Sequence, residues 1–117
     1  IVAVILAGTL GLLKDSMNYA LDAVPDGIDI PELKQYFSGL ESVERIHDLH
    51  VWPLSTTEIA LTVHLVVNTT ELDNRFLRDQ QQHLHDHYGI AHATLQIESS
   101  TDEQRCMLDN VKPQKHA

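Results

Sequence analysis

The residues best suited to chemistry are three histidines within residues 46–67, IHDLHVWPLSTTEIALTVHLVV. The second half of this stretch alternates fully apolar positions with mixed ones, which is typical of a strand with one buried face. His64 falls among the mixed positions, so we expect it on the open face of a sheet. Because neutral imidazole is a preferred ligand of zinc, a strand pair that carries His47, His50 and His64 indicates a metal site.

The register of the two strands decides which histidine faces His64. With a turn centred on Ser55 and Thr56, His47 lies directly opposite His64, and both imidazoles share a face. The same register places two pairs on the core side, Ile46 with Leu65 and Trp52 with Ile59. It also turns two polar residues inward, Asp48 and His50.

The inward polar residues leave two arrangements open. A β-bulge after His47, or fraying of the strand at Asp48, would relieve their burial and keep His47 beside His64. In the alternative, the register is shifted and His50 joins His64 in place of His47. We favour His47 and retain His50 as a further candidate ligand.

A carboxylate from a later strand completes the predicted site. In residues 91–98, Ala91, Ala93, Leu95 and Ile97 form one face, and Glu98 belongs to the other. If this strand lies beside the central one, Glu98 approaches His47 and His64. Two nitrogens and one carboxylate suit Zn2+, and Cd2+ or Co2+ would also fit. The alternative is an exposed sheet face with ordinary polar residues.

Other possible ligands are less well supported by their positions. His83 and His87 are four residues apart and share one face of a predicted helix, whereas His85 points away; a solvated helix face is the simpler interpretation. His92 and Cys106 are retained as accessory candidates. Cys106 is the single cysteine, which excludes an internal disulfide and favours a reducing compartment.

The surrounding elements follow from apolar periodicity and from helix caps. Apolar spacing predicts helices over residues 9–24 and 29–39. A third helix is predicted from about Thr70, which resembles the start of a capping box with Asp73, to Tyr88. The predicted fold class is α+β, a metallochaperone- or ferredoxin-like α-β-β-α-β domain. Its three-stranded mixed sheet carries two helices on one face, and its open face meets a dimer partner or solvent.

Charge and motif content exclude some functions. Seventeen acidic residues against eight basic ones give the 117-residue chain a net charge of −9, which disfavours nucleic acid as a partner. No glycine-flanked nucleophile or phosphate loop is present, so we do not expect an enzyme. The apolar run at residues 1–13 is too short for a complete membrane helix, which needs ~20 residues, and is either a core segment or the end of a longer helix.

Three stretches together resemble a known family of transporters. GLLKDSMNYALDAVP, RIHDLHVWPLSTTEIALTVHLVV and GIAHATLQIES occur in the order and spacing of the membrane exit and C-terminal domain of cation diffusion facilitators, especially the bacterial zinc, cadmium and cobalt efflux branch. The resemblance implies a metal site at His47, His64 and Glu98, the same residues that the strand register indicates.

The resemblance also implies an organisation and a role. Residues 1–24 would end the sixth membrane helix and form a juxtamembrane linker, residues 25–99 would form a cytoplasmic domain that dimerises and binds metal, and residues 100–117 would be a flexible tail. The expected function is regulation of proton-coupled zinc efflux at the bacterial inner membrane, with the homodimer, divalent ions and the attached membrane domain as partners. The alternatives are a purely structural dimerisation domain and a free-standing metal carrier.

Overall fold

The computed structural model describes residues 1–69 and 71–100. In chain order, the elements are α1 (Val2–Ala20), α2 (Ile30–Ser38), β1 (Val43–Pro53), β2 (Ile59–Val67), α3 (Asn74–Tyr88) and β3 (His92–Ser99). The strands form one sheet in the order β1-β2-β3, in which β1 and β2 are antiparallel and β2 and β3 are parallel. The predicted α+β class and mixed three-stranded sheet are confirmed.

Side-chain burial places both α2 and α3 on one face of the sheet. The core residues, each at most 2% exposed, come from both helices, from alternate positions of β2 and from the loop before β3: Leu33, Phe37, Leu61, Val63, Leu65, Val67, Leu84 and Ile90. The remaining positions of β2, including His64, therefore lie on the opposite face. This alternation separates the apolar core from the histidines.

Local hydrogen bonds set the starts of the two core helices. The carboxylate of Asp29 accepts a hydrogen bond from the backbone N–H of Glu32, as the predicted cap requires. In α3, the carboxylate of Asp73 accepts from the N–H groups of Arg75 and Phe76, so Asp73 itself is the N-cap. The predicted role for Thr70 lies outside the described residues.

The first helix differs from its prediction in its bounds. It covers residues 2–20, whereas apolar spacing indicated 9–24. The backbone of Asp22 has a φ of 50°, in the left-handed region, and the helix has ended before it, three residues ahead of Pro25. No residue of α1 is buried. Among the residues that the structure describes, none of the helices has the length and apolar character needed to cross a membrane.

Candidate metal centre

The register of β1 and β2 brings two of the predicted histidines together. His47 pairs with His64 and Ile46 with Leu65, as the turn position predicts. Between His47 and His50 the register shifts, because β1 contains two residues where β2 contains only Val63. The predicted bulge is therefore present, and the alternative in which His50 replaces His47 opposite His64 is wrong.

Between the bulge and the turn, each residue of β1 pairs with a residue of β2 one position later than the simple register predicts. Trp52 pairs with Ala60, and Pro53 pairs with Ile59, so the predicted pair of Trp52 and Ile59 is wrong. Val51, which is 4% exposed, takes the core position instead. The extra residue of the bulge also puts His50 opposite Thr62 on the open face, so its predicted inward placement is wrong.

The parallel strand β3 contributes Glu98 to the same face. Gln96 pairs with His64, and Glu98 pairs with Val66, two residues further along β2 and on the same face. One carboxylate oxygen of Glu98, Oε2, lies 2.9 Å from Nε2 of His47, and the other, Oε1, lies 2.9 Å from Nδ1 of His64. Glu98 thus lies between the two imidazoles, and the side chain of Gln96 donates a hydrogen bond to its Oε1 at 2.9 Å.

A second carboxylate, which the sequence pattern did not assign to the site, is that of Asp48. Its Oδ2 lies 3.4 Å from Nδ1 of His47 and 3.8 Å from Nδ1 of His64. The bulge turns Asp48 away from the inward position that a regular strand would give it, and its φ of 49° is left-handed. His47, Asp48 and His64 each offer one ligand atom, and all these atoms lie within 4.8 Å of one another.

The ring nitrogens that face this carboxylate lack hydrogen bonds. Nδ1 of His47 and Nδ1 of His64 are both inaccessible to solvent, and neither has a hydrogen-bond partner among the described residues. Nδ1 of His64 lies 2.9 Å from Oε1 of Glu98 but forms no hydrogen bond with it. Buried nitrogens without partners are costly in a native fold, and these two lie beside the same carboxylate, an arrangement that suits a ligand shared by both rings.

The electrostatics of Glu98 favour its charged form. Burial raises the pKa of this carboxyl, but the hydrogen bond and charge of His47, with smaller effects from His64 and Gln96, outweigh it and hold the pKa below the ordinary value of 4.5. At neutral pH the centre therefore contains a carboxylate beside two imidazoles. Such nitrogen and oxygen donors are the ligands that Zn2+, Cd2+ and Co2+ accept.

The remaining candidates are not brought to this centre. His50 is exposed and faces Thr62. His92 pairs with Ala60 at the opposite end of β3 from Glu98, and its Nε2 lies 3.8 Å from the carboxylate of Glu58. Cys106 and the predicted tail lie outside the described residues. His83 and His87 lie on α3, across the sheet from His64.

Comparison with known proteins identifies the family. The family model described as "Cation efflux protein, cytoplasmic domain" matches residues 25–100, which contain the whole centre. The chain belongs to the cation efflux protein family. Its sheet and its histidine pair are accordingly parts of the cytoplasmic domain of a cation efflux protein.

Relatives of this cation efflux protein occur in bacteria and in eukaryotes. The metal cation efflux system protein CzcD of Cupriavidus metallidurans is 38% identical over 102 residues, which are 86% of this chain and 32% of that protein. A probable zinc transporter protein of Dictyostelium discoideum is 33% identical over 112 residues, which are 96% of this chain and 21% of that protein. The chain thus spans between about a fifth and a third of the length of these relatives.

Among solved structures, a similar one is the metal-bound C-terminal domain of the CzcD transporter from Cupriavidus metallidurans. It is 33% identical, covers 61% of this chain and 99% of its own, and superposes with a TM-score of 0.49.

Proposed function

We propose that this domain senses divalent metal in the cytoplasm and regulates a zinc efflux transporter of which it is a part. The observation that carries the proposal is the convergence of His47, His64 and two carboxylates around nitrogens that have no hydrogen bond. The relatives named for zinc transport or cation efflux support the choice of ion. Zn2+ is the expected ligand, and Cd2+ and Co2+ are the expected substitutes.

Four side chains would hold the ion in this proposal. His47, His64 and Asp48 offer three atoms within mutual reach. Glu98 accepts a hydrogen bond from His47 when Nε2 carries the proton, which fixes the ring and leaves Nδ1 free to bind. Its other oxygen, Oε1, is close enough to His64 to serve as a ligand itself. The ion would supply no catalysis here, only binding energy that couples three strands.

Regulation requires that the ion bind two arrangements of the protein unequally. We propose that the domain forms a homodimer through the histidine-bearing side of the sheet, and that metal binds more tightly to the closed arrangement of the dimer. A tenfold difference in affinity shifts the balance between arrangements by about 1.4 kcal/mol. The same shift would bias an attached transport domain towards export, with protons moving in the opposite direction.

The first helix is the expected connection to the membrane. The large apolar side chains of residues 1–13 are all more than half exposed, at Ile1, Val2, Val4, Ile5, Leu6, Leu10, Leu12 and Leu13. Exposed apolar residues on all sides of a helix are typical of contact with lipid or with other helices. We therefore propose that residues 1–24 contain the end of the last membrane helix, and that the domain faces the cytoplasm at a bacterial inner membrane.

Calorimetric titration of the 117-residue chain with ZnCl2 tests the metal site. The variant that combines His47→Ala with His64→Ala loses two nitrogen ligands, so we expect its affinity at this site to fall at least tenfold. His92→Ala is the matched control, since it removes an exposed imidazole at the opposite end of β3.

Two results would contradict the proposal. Zinc affinity that is equal in the double variant and the wild type would leave only a structural dimerisation role. An equal loss in the control would indicate nonspecific binding by surface histidines. Affinity in the wild type should also fall as pH drops towards ~6, because imidazole must be neutral to bind a metal ion.

A further inference from the structure

A second pair of histidines lies on α3, within the sequence HLHDH at residues 83–87. The rings of His83 and His87 have centroids 4.1 Å apart and an interplanar angle of 77°. The rings of the pair at the sheet centre, His47 and His64, also meet edge to face, with centroids 4.9 Å apart and an interplanar angle of 70°. Helical spacing of four therefore reproduces, on one element, the ring arrangement that two strands produce at the centre.

The ring of His83 is held in place by α2. It stacks on Tyr36, with centroids 4.4 Å apart and planes within 5°. The hydroxyl of Tyr36 in turn donates a hydrogen bond to the side-chain carbonyl of Gln80, one turn earlier on α3. An imidazole fixed in this way loses less rotational freedom when it binds a ligand than one that is free in solvent.

The charge state of His83 suits metal binding. Burial, and then the neighbouring His87, lower the pKa of His83 below its ordinary value of 6.5, although Asp86 opposes them. His83 is consequently neutral at pH 7 and has a lone pair available. His87 is exposed, so water can complete the coordination of an ion there. The pair also lies near the C-terminal end of α3, where the helix dipole favours a cation.

We propose that His83 and His87 form a second site for a divalent transition-metal ion, with two imidazole ligands and water at the remaining positions. Two histidines four apart on one helical face are the zinc-binding element of many metalloproteins. A site with two nitrogens and open water positions should follow the usual order of stability, with Cu2+ bound more tightly than Ni2+ or Zn2+.

This second site is separate from the centre on the sheet. Leu84, between the two histidines in sequence, is fully buried in the core against one face of the sheet, whereas His64 lies on the other face. The proposal therefore does not depend on the regulatory function. Either site can be removed without touching a ligand of the other.

The test follows the histidine ring nitrogens by NMR while ZnCl2 is added to the full chain labelled with 15N-histidine. It is carried out in the wild type and in the variant with His47→Ala and His64→Ala. We expect the ring signals of His83 and His87 to shift together in both proteins, at the same zinc concentration. His85 is the internal control, since it lies on the same helix and its Nδ1 is 3.0 Å from Asp86.

Single substitutions distinguish a shared ion from independent binding. His83→Gln should abolish the zinc-dependent shift of His87 or weaken binding there at least tenfold, whereas His85→Gln should leave it unchanged. Shifts at His83 and His87 no larger than those at His85, or an unchanged response of His87 in His83→Gln, would overturn the proposal. Amide spectra of each variant verify folding. Because each histidine has its own ring signals, the wild-type titration reports binding at the two sites separately.

Discussion

At the scale of single residues, the centre depends on a backbone conformation that residues other than glycine seldom adopt. Asp48 has a φ of 49°, and the left-handed region costs most L-residues about 1 kcal/mol, although Asn and Asp tolerate it better than others. The same backbone turn directs the carboxylate of Asp48 to within 4 Å of both imidazoles. Local strain at this position therefore coincides with a candidate ligand, as is common at functional sites.

Substitutions of Asp48 can separate its two contributions. Asp48→Asn retains tolerance of the left-handed backbone and removes the charge, so we expect stability near that of the wild type and zinc affinity lowered about tenfold. Asp48→Ala should lose the same affinity and also about 1 kcal/mol of unfolding free energy. Calorimetry with ZnCl2 and urea unfolding of the metal-free chain measure the two effects.

Glu44→Gln serves as the control for Asp48, because Glu44 is an exposed acid on the same strand. Glu44→Gln should change neither the zinc affinity nor the free energy of unfolding. If Asp48→Asn bound zinc as tightly as the wild type, Asp48 would not be a ligand, and Glu98 would be the carboxylate of the site.

At the scale of elements, caps and turns hold the strands and helices in register. Ser55 accepts hydrogen bonds from the N–H groups of Thr57 and Glu58, and the backbone N–H of Leu54 donates to the carbonyl of Glu58 at 2.8 Å. This closed turn fixes where β2 begins. Asp73 similarly fixes where α3 begins, and Gly89, with a φ of 66°, ends it in the left-handed conformation typical of a C-cap.

The cap of α3 should give the protein a defined acid sensitivity. Backbone hydrogen bonds, first from Phe76 and then from Arg75, hold the pKa of Asp73 below its ordinary value of 3.8 despite some desolvation. A depressed pKa means that the cap stabilises the fold above pH 3.8, and that this contribution disappears as pH falls through the folded-state value. Asp73→Ala should therefore be less stable than the wild type at pH 7, with a difference that shrinks in acid.

Urea unfolding at a series of pH values measures this difference. Asp79→Ala removes an exposed acid from the same helix without affecting its cap, and should show little loss at any pH. A deficit in Asp73→Ala that stayed constant down to the acid limit would show that the hydrogen bonds to the carboxylate do not matter.

Sequence patterns predicted most of this arrangement, because alternation and turn position are local properties. They placed His47 opposite His64 and Glu98 on the same face, in agreement with the structure. They did not predict which way Asp48 turns, since inward polar positions can indicate a bulge but not the backbone conformation of its extra residue.

The pairing beyond the bulge and the bounds of α1 were also predicted incorrectly. Trp52 and Val51 exchange faces because of the one inserted residue. The start of α1 was placed too late, because residues 1–8 are apolar without helical periodicity, whereas the structure continues the helix through Thr9 back to Val2.

At the scale of the whole molecule, the histidine-bearing face of the sheet is the main surface that α2 and α3 do not cover. A sheet in so small a domain commonly places such a face against solvent or another subunit. We expect this face to contact another subunit, with the centre close enough to the interface for a bound metal ion to alter the dimer.

Spin-label distances across the homodimer test this expectation. With a label at an exposed position such as Leu54, saturating Zn2+ should shorten the distance between protomers, because tighter binding to one arrangement increases its population. The variant with His47→Ala and His64→Ala, labelled identically, should not respond. Identical distance distributions in the wild type with and without zinc would refute metal-controlled closure.

The contact between His47 and Glu98 joins the two outer strands of the sheet over the top of the central one. These residues are 51 positions apart in the chain, and Glu98 arrives only after the α3 crossover has been completed. Assembly of the centre consequently requires β3 to pair with β2, and a truncated chain that ends before β3 would have the imidazoles without their bridge. A metal ion bound there would link the two outer strands, and would protect from local unfolding the edges of the sheet, which otherwise fray first.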